Sequence, residues 1–236
     1  MNEFVKLVKE FGITVSLRHI DLLEKYANYL IEYNEHTNLT AITNKDEIYL
    51  KHFYDSLTIL KAIDLNEVNT VLDVGTGAGF PGMVLKIFFP HLHVTLLDSN
   101  NKKTTFLTNL VQKLELTDIE IVNERSEDYA KNNLDKYDLV TARAVTHLKA
   151  LSELCLPLVK VNGYFIPLKG NAKEEIEISK NIITKLNSHI DNIIEFNLPI
   201  EDSTRTIIKI IKDNKTPSGY PRSYSIIKKE LKKDLK

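Results

Sequence analysis

The apolar positions of this chain follow two rhythms, and the change comes near residue 70. Before it, they recur at helical intervals. Residues 2–11 fit a short amphipathic helix ended by Gly12, and Ser16 is a suitable N-cap for a longer one. That second helix would carry Leu17, Ile20, Leu23, Ala27, Leu30 and Ile31 along one packing face. Residues 46–62 read as a further helix, holding His52, Asp55 and Ser56 in the run HFYDSL. After residue 70, short β-branched runs alternate with helical stretches. Strands are expected at 70–72, 93–97, 119–122, 137–141 and 163–168, with helices at 83–89, 100–116, 147–156 and 172–188. Two last segments, 191–197 and 204–211, have β character with no helix between them, so they should pair antiparallel.

Alternating βα units argue for a parallel sheet wrapped by helices, joined by right-handed crossovers. The expected organisation is an N-terminal helical extension at 1–62, an α/β core at 63–212 and a basic C-terminal tail at 213–236. Composition narrows this only slightly. The 236 residues are 43% hydrophobic and 27% charged, ordinary for a soluble globular chain. No apolar run reaches the ~20 residues a membrane span needs, and the charged N-terminus does not read as a secretory signal. One cysteine, Cys155, excludes an intrachain disulfide and favours a reducing compartment, so a cytoplasmic location is expected. Leu154, Leu156 and Leu158 around it make it read as a core residue. The net charge of −1 hides an asymmetry: from Lys209 onward there are nine basic and three acidic residues. Such a tail could meet nucleic acid, or it could simply be a solvated end.

The densest chemistry lies in TVLDVGTGAGFPG, residues 70–82, which holds four of the eight glycines. A strand, a glycine turn and a helix follow one another there without spare residues. Glycine admits positive φ and lets a ligand approach the backbone, and the helix start adds free N–H groups. A dinucleotide fingerprint would place a third glycine at position 80, which is Phe80. The turn reads instead as Asp73 followed by Gly75, Gly77 and Gly79. It resembles the first motif of Rossmann-like S-adenosylmethionine-dependent methyltransferases, whose cofactor carries an ammonium and a sulfonium that a carboxylate suits.

In doubly wound sheets ligands sit beyond the carboxyl ends of the strands. Asp98 closes the second strand there and is followed by Ser99. Its carboxylate could accept from ribose hydroxyls or cap the next helix. Ser126 and Glu127 follow strand three, where this class holds adenine. Arg143 closes strand four and Lys169 strand five. The runs HFYDSL, DVGTGAGFPG, LLDSNNKKTTFL, ARAV, PLKG and TPSGYPR occur in the order found in the bacterial glucose-inhibited division protein B family. Members of that family methylate a guanine of 16S ribosomal RNA at N7.

The resemblance runs from about Asn38 to Arg222. It implies a class I methyltransferase fold, a mostly parallel seven-stranded sheet closed by an antiparallel hairpin, with helices on both faces. It also implies S-adenosylmethionine as cofactor, held at Gly75, Phe80, Ser126, Glu127 and Arg143, beside the Asp73, Gly77, Gly79, Asp98 and Ser99 read from the turn and strand ends. On the substrate side the candidates are His52, Lys169 and Arg222. After Arg222 the chain departs from the family pattern and runs Ser223-Tyr224-Ser225 into its lysine-rich end.

No (Asn/Asp)-Pro-Pro-aromatic motif of exocyclic-amine enzymes follows strand four, and no exposed cysteine nucleophile of the pyrimidine C5 type is apparent. Guanine N7 needs neither, since its lone pair is free and no general base has to be assigned. His91 and His93 lack a third ligand nearby, so no metal is expected. A monomer working on 16S RNA or the small subunit, without DNA or membrane, is the expected form. The competing functions are methylation of a small molecule and a non-catalytic nucleotide-binding regulator.

Overall fold

The protein is described by a computed structural model covering residues 1–199 and 202–235. Seven strands form one sheet: β1 Thr70–Val74, β2 His93–Leu97, β3 Ile119–Val122, β4 Tyr137–Arg143, β5 Val159–Lys169, β6 Ser188–Asn197 and β7 Thr204–Lys212. Their order is β3-β2-β1-β4-β5-β7-β6. The first five pair parallel, and β7 joins β5 and β6 antiparallel. The expected closing hairpin is therefore present. Strand order reverses between β1 and β4, which opens a crevice at their carboxyl ends.

Period-two alternation sends successive strand residues to opposite faces. Val71, Leu139, Ile166 and Ile207 belong to one apolar core, and Leu72, Val140, Phe165 and Ile208 to the other. The helices are α1 Asn2–Val8, α2 Leu17–Thr37, α3 Lys45–Ile48, α4 Asp55–Leu57, α5 Gly82–Phe88, α6 Asn101–Lys113, α7 Ser126–Tyr129, α8 Leu148–Cys155, α9 Lys173–Lys185 and α10 Tyr224–Asp234. Residues of α1, α2, α5 and α6 fill the first core, and residues of α8, α9 and α10 the second. The N-terminal helices thus share a core with the sheet. Ser16 caps α2 as expected, in a reciprocal pair with His19.

Two elements differ from the sequence reading. Leu17 is 86% exposed, because burial on α2 begins a turn later, at Leu22, Leu23 and Tyr26. The helix expected over 46–62 is broken: α3 passes into a π-helical stretch, Tyr49–Tyr54, then α4 and a 3₁₀ turn. π-turns inside helices are frequent at functional sites, and this one carries Lys51 and His52 to the crevice.

The lysine-rich end also has structure. It forms α10, which buries Ile227 and packs Tyr224 and Leu231 against the second core. Its anchor is Arg222. The guanidinium donates to both carboxylate oxygens of Glu153 (2.7 and 2.6 Å) and to Glu230 (2.6 Å). Glu153 is only 1% exposed, so the arginine compensates a carboxylate that water cannot reach. Lys212 makes a second anchor, buried and donating to Asp135 and to the carbonyls of Leu156 and Val159. Arg222→Ala should destabilise the fold by about 2 kcal/mol, below the full cost of orphaning a buried charge because Arg222 is partly exposed. Chemical denaturation checks this, and a wild-type midpoint would mean that Glu153 has another partner.

Candidate functional site

The glycine turn is built around Asp73, the fourth residue of β1. Its carboxylate is wholly buried, and Oδ2 accepts from Thr76 Oγ1 (2.7 Å) and from the Gly82 amide (2.8 Å). Burial raises its pKa to about 6, against the two hydrogen bonds. Asp73 was expected to meet the cofactor directly, yet it lines neither cavity at the turn. The carboxylate clamps the turn from beneath, while Oδ1 has no partner among the described residues. Gly82 is required by packing, since a Cβ there would come within 2.5 Å of Leu96 and 3.0 Å of Asp73. At Gly77 the reason is different. Its φ is +62° and a Cβ would enter open space, 3.9 Å from the Gly75 carbonyl oxygen. That space is the cleft itself.

Three cavities adjoin along the crevice. The first, about 280 Å³, is lined by Gly75, Asp98, Ser99, Lys103, Ser126, Glu127 and others. A second, about 180 Å³, lies over the turn between Thr40, His52, Gly77, Phe80 and Arg143. The third, about 560 Å³, is bounded by His52, Asp55, Arg143, Lys169 and Arg205. The first two share Gly75, Lys103 and Ala144, and the last two share His52, Arg143 and Ala144. Ala144 touches all three and is held at φ +55°, a left-handed conformation uncommon for a residue with a Cβ.

Asp98 faces the first cavity. Oδ2 accepts from the Gly77 amide (3.0 Å) and Oδ1 from the Asn100 amide (2.9 Å), while Asn100 itself caps α6. Asp98 therefore ties the end of β2 to the glycine turn. Ser126 donates to the Leu154 carbonyl (2.8 Å), and Glu127 pairs with Arg125 (2.8 Å). Phe80 is a buried wall of the second cavity: Tyr26 stacks on it at 5.3 Å, His52 at 4.4 Å, and the Arg143 guanidinium lies 5.0 Å from its centroid. Tyr26 also donates to the Ala78 carbonyl (2.5 Å), which locks α2 to the turn.

Arg143 donates to the Lys51 carbonyl, to Asp55 Oδ2 and to His52 Nδ1, each at 3.0 Å. A guanidinium cannot accept, so Nδ1 is unprotonated and the ring proton sits on Nε2, facing Thr40 Oγ1 at 3.0 Å. Burial first, then the charge of Arg143, lowers the His52 pKa to about 3. The histidine is a neutral strut. Asp55 bridges two arginines, since its other oxygen accepts from Arg205 Nε (2.9 Å). Lys169 donates to the Thr146 carbonyl and pairs with Glu175, both at 2.8 Å.

The structure thus gathers Gly75, Gly77, Phe80, Asp98, Ser99, Ser126, Glu127 and Arg143 on the first two cavities, and His52 and Lys169 on the third. Gly79 lies inside the turn, where a Cβ would strike Met83 and Tyr26 at 2.6 Å. Arg222 is not among the lining residues of the three, and its guanidinium is engaged by Glu153 and Glu230. Its assignment to the substrate side is corrected to that of an anchor. Sequence reading missed Tyr26, Thr40, Lys103, Arg205 and Tyr224. Tyr26 had a signal, the helical spacing shared with Leu23 and Leu30. Arg205 had none, because only the antiparallel return of β7 brings it to Asp55.

Comparisons with known proteins identify the family. A family model described as GidB, rRNA small subunit methyltransferase G, matches residues 19–202. The chain is 50% identical over 225 residues to ribosomal RNA small subunit methyltransferase G of Bacillus subtilis (strain 168), covering 94% of each chain. It is 46% identical over 231 residues to the protein of that name from Oceanobacillus iheyensis, covering 97% of each. Among solved structures, a SAM-dependent methyltransferase from Aquifex aeolicus shares the fold, with a TM-score of 0.50 at 21% identity over 66% of this chain and 89% of that one. A family model that matches most of the chain, and a relative sharing half its residues almost from end to end, leave one assignment: the chain belongs to the rRNA small subunit methyltransferase G (GidB) family.

Proposed function

We propose that the continuous cleft is the catalytic site, with the methyl donor across the first two cavities and a guanine of small-subunit ribosomal RNA in the third. The protein is an S-adenosylmethionine-dependent ribosomal RNA methyltransferase, as its family membership implies. The observation that carries the site assignment is the sharing of Gly75, Ala144 and Arg143 between adjoining cavities. It gives two substrates one meeting point.

The residues fit the cofactor. Asp98 offers a carboxylate at a strand end for ribose hydroxyls, Gly77 leaves room that a Cβ would take, and the unpartnered Asp73 Oδ1 keeps the turn negative beneath a cationic ligand. When bound, S-adenosylmethionine supplies an electrophilic sulfonium methyl. Everything else asked of the chain is placement. Guanine N7 carries a free lone pair, so no side chain has to remove a proton before attack. Positioning alone can supply up to ~7–11 kcal/mol of barrier reduction.

Placement on the RNA side falls to the third cavity. Lys51, Arg143, Lys169 and Arg205 outnumber Asp55 and Glu175 there, a balance that suits a phosphate-bearing nucleotide. Asp55 holds both arginines, and neutral His52 orients Arg143 without adding a further positive charge. Arg143 uses three of its N–H groups on these partners, and its location between the cavities lets it meet either the donor's carboxylate or a backbone phosphate. The Asp55 carboxylate also offsets positive charge near a base that becomes cationic on methylation. A cytoplasmic monomer acting without DNA is the setting this reading supposes.

Labelled methyl transfer from S-adenosylmethionine into unmodified small-subunit RNA, followed by nucleoside digestion, tests the function. Label should appear in 7-methylguanosine. Label in another nucleoside would refute the N7 assignment, and label confined to metabolites would favour a small-molecule enzyme.

The glycines can be told apart. Gly77→Ala should cost only ~1 kcal/mol of stability through its left-handed φ while weakening cofactor affinity at least about tenfold. Gly82→Ala should destabilise by ~1–3 kcal/mol through overpacking against Asp73. Melting and calorimetry on both variants check the contrast, and a reversed pattern would contradict the geometry.

The neutrality of His52 predicts an acid dependence. In the unfolded chain its pKa returns to 6.5, while in the fold it is about 3, so the unfolded state binds more protons in between. Stability is therefore lost as pH falls below 6.5. Asp73 acts oppositely, since a pKa of about 6 lets the fold take up a proton before the unfolded chain does. In His52→Asn the first slope should disappear, and melting temperature should fall less than in wild type between about pH 7 and 5. Parallel slopes would show that His52 is not held neutral.

A further inference from the structure

The wall of the first cavity is not made by the sheet and its crossovers alone. Tyr224, the first residue of α10, lines it as well. This residue lies past Arg222, in the part of the chain that departs from the family pattern. The Arg125 guanidinium stands over its ring, 5.1 Å from the centroid, and Arg125 is itself held by Glu127 at 2.8 Å. Ring, guanidinium, Ser126 and Glu127 therefore form one patch at the end of the cleft away from Arg143. The ring is held from behind. Ile227 and Leu231 seat α10 on the second core, Arg222 grips Glu153 and Glu230, and Lys149 pairs with Glu230 and Asp234.

The chemistry of this end selects its occupant. Asp98, Glu124 and Glu127 set three carboxylates there against Lys103 and Arg125. A phosphate would be poorly served, while a neutral base on a ribose would find hydroxyl acceptors, small apolar walls at Leu97 and Leu154, and an aromatic face. We propose that Tyr224, contributed by the C-terminal helix, is a cofactor-binding residue that stacks on the adenine of S-adenosylmethionine. The proposal rests on the reading of this cleft as the cofactor site. It makes α10 part of that site, so docking of α10 and binding of the cofactor favour each other by the same factor.

The chain contains no tryptophan, so Tyr224→Trp introduces a single tryptophan into the full-length protein, whose emission is excited at the red edge where tyrosine does not absorb. Saturating S-adenosylhomocysteine, with binding confirmed by calorimetry, should quench that emission by stacking, and free methionine should leave it unchanged. Calorimetry on Tyr224→Ala should show about tenfold weaker binding of the same ligand, and Tyr224→Phe should stay within about twofold of wild type, since stacking needs the ring and not the hydroxyl. Melting curves of each variant report whether the fold is kept. Unchanged emission with the ligand bound, or Tyr224→Ala binding as wild type does, would overturn the proposal. Asp98→Ala separates the two levels of the argument. If that variant binds weakly while the Tyr224 variants bind normally, only the role of Tyr224 falls. If wild type does not bind S-adenosylhomocysteine at all, the cofactor reading falls with it.

Discussion

A buried carboxylate holds the site together. Asp73 takes the Thr76 hydroxyl and the Gly82 amide on one oxygen, and so fixes both ends of the glycine turn to the strand that feeds it. Desolvation of that group is costly, as its raised pKa records. The hydrogen bonds from Thr76 and Gly82 offset part of that cost. The amides of Gly75 and Thr76 donate to the Leu97 carbonyl (2.8 and 3.1 Å), and those of Gly79 and Phe80 to the Thr76 carbonyl (2.9 and 3.0 Å). Asp98 then steadies the turn from the next strand through the Gly77 amide, and Tyr26 from the N-terminal helix through the Ala78 carbonyl. Three separate stretches of sequence converge on four residues.

The opposite side of the crevice uses the same principle with charges reversed. Arg143 and Arg205 would repel each other in a half-buried cavity, and Asp55 lies between them with one oxygen for each. Its side chain is 5% exposed, so water screens this arrangement little and the geometry must be good. The π-helical stretch supplies His52 and the Lys51 carbonyl to the same arginine. The N-terminal helices therefore do more than pack against the sheet. They carry all three of the hydrogen-bonding partners that aim Arg143.

Much of this was legible beforehand, and for identifiable reasons. Strands β2 and β3 are bounded in the sequence by turn residues and have a plain apolar rhythm, so their limits could be read directly. The motif Asp73 to Gly82 is local, and local geometry is what spacing encodes. Asp98, Ser126 and Arg143 could be placed because each follows a strand, and strand ends gather at the switch point. Legibility failed where contacts depend on distant parts of the chain. Nothing near Arg222 shows that Glu153 and Glu230 will occupy it, so a basic residue in a basic stretch was read as a nucleic-acid contact. Arg205 and Tyr224 reach the cleft only through the return of β7 and the docking of α10. The spacing shows that Asp73 belongs to the motif but not that its carboxylate takes Thr76 and Gly82 beneath the turn, because the sign of a charge does not reveal on which side of a turn it lies.

The account stands on one claim, that a single cleft is divided between donor and base at His52, Arg143 and Ala144. A crystal structure with S-adenosylhomocysteine bound tests it most directly. The account predicts ribose hydroxyls on Asp98, adenine beside Ser126 and the thioether sulfur pointing past Gly77 toward the cavity of Arg143 and Arg205. A ligand seated in that basic cavity, or one bound with Asp98 left unengaged, would contradict it.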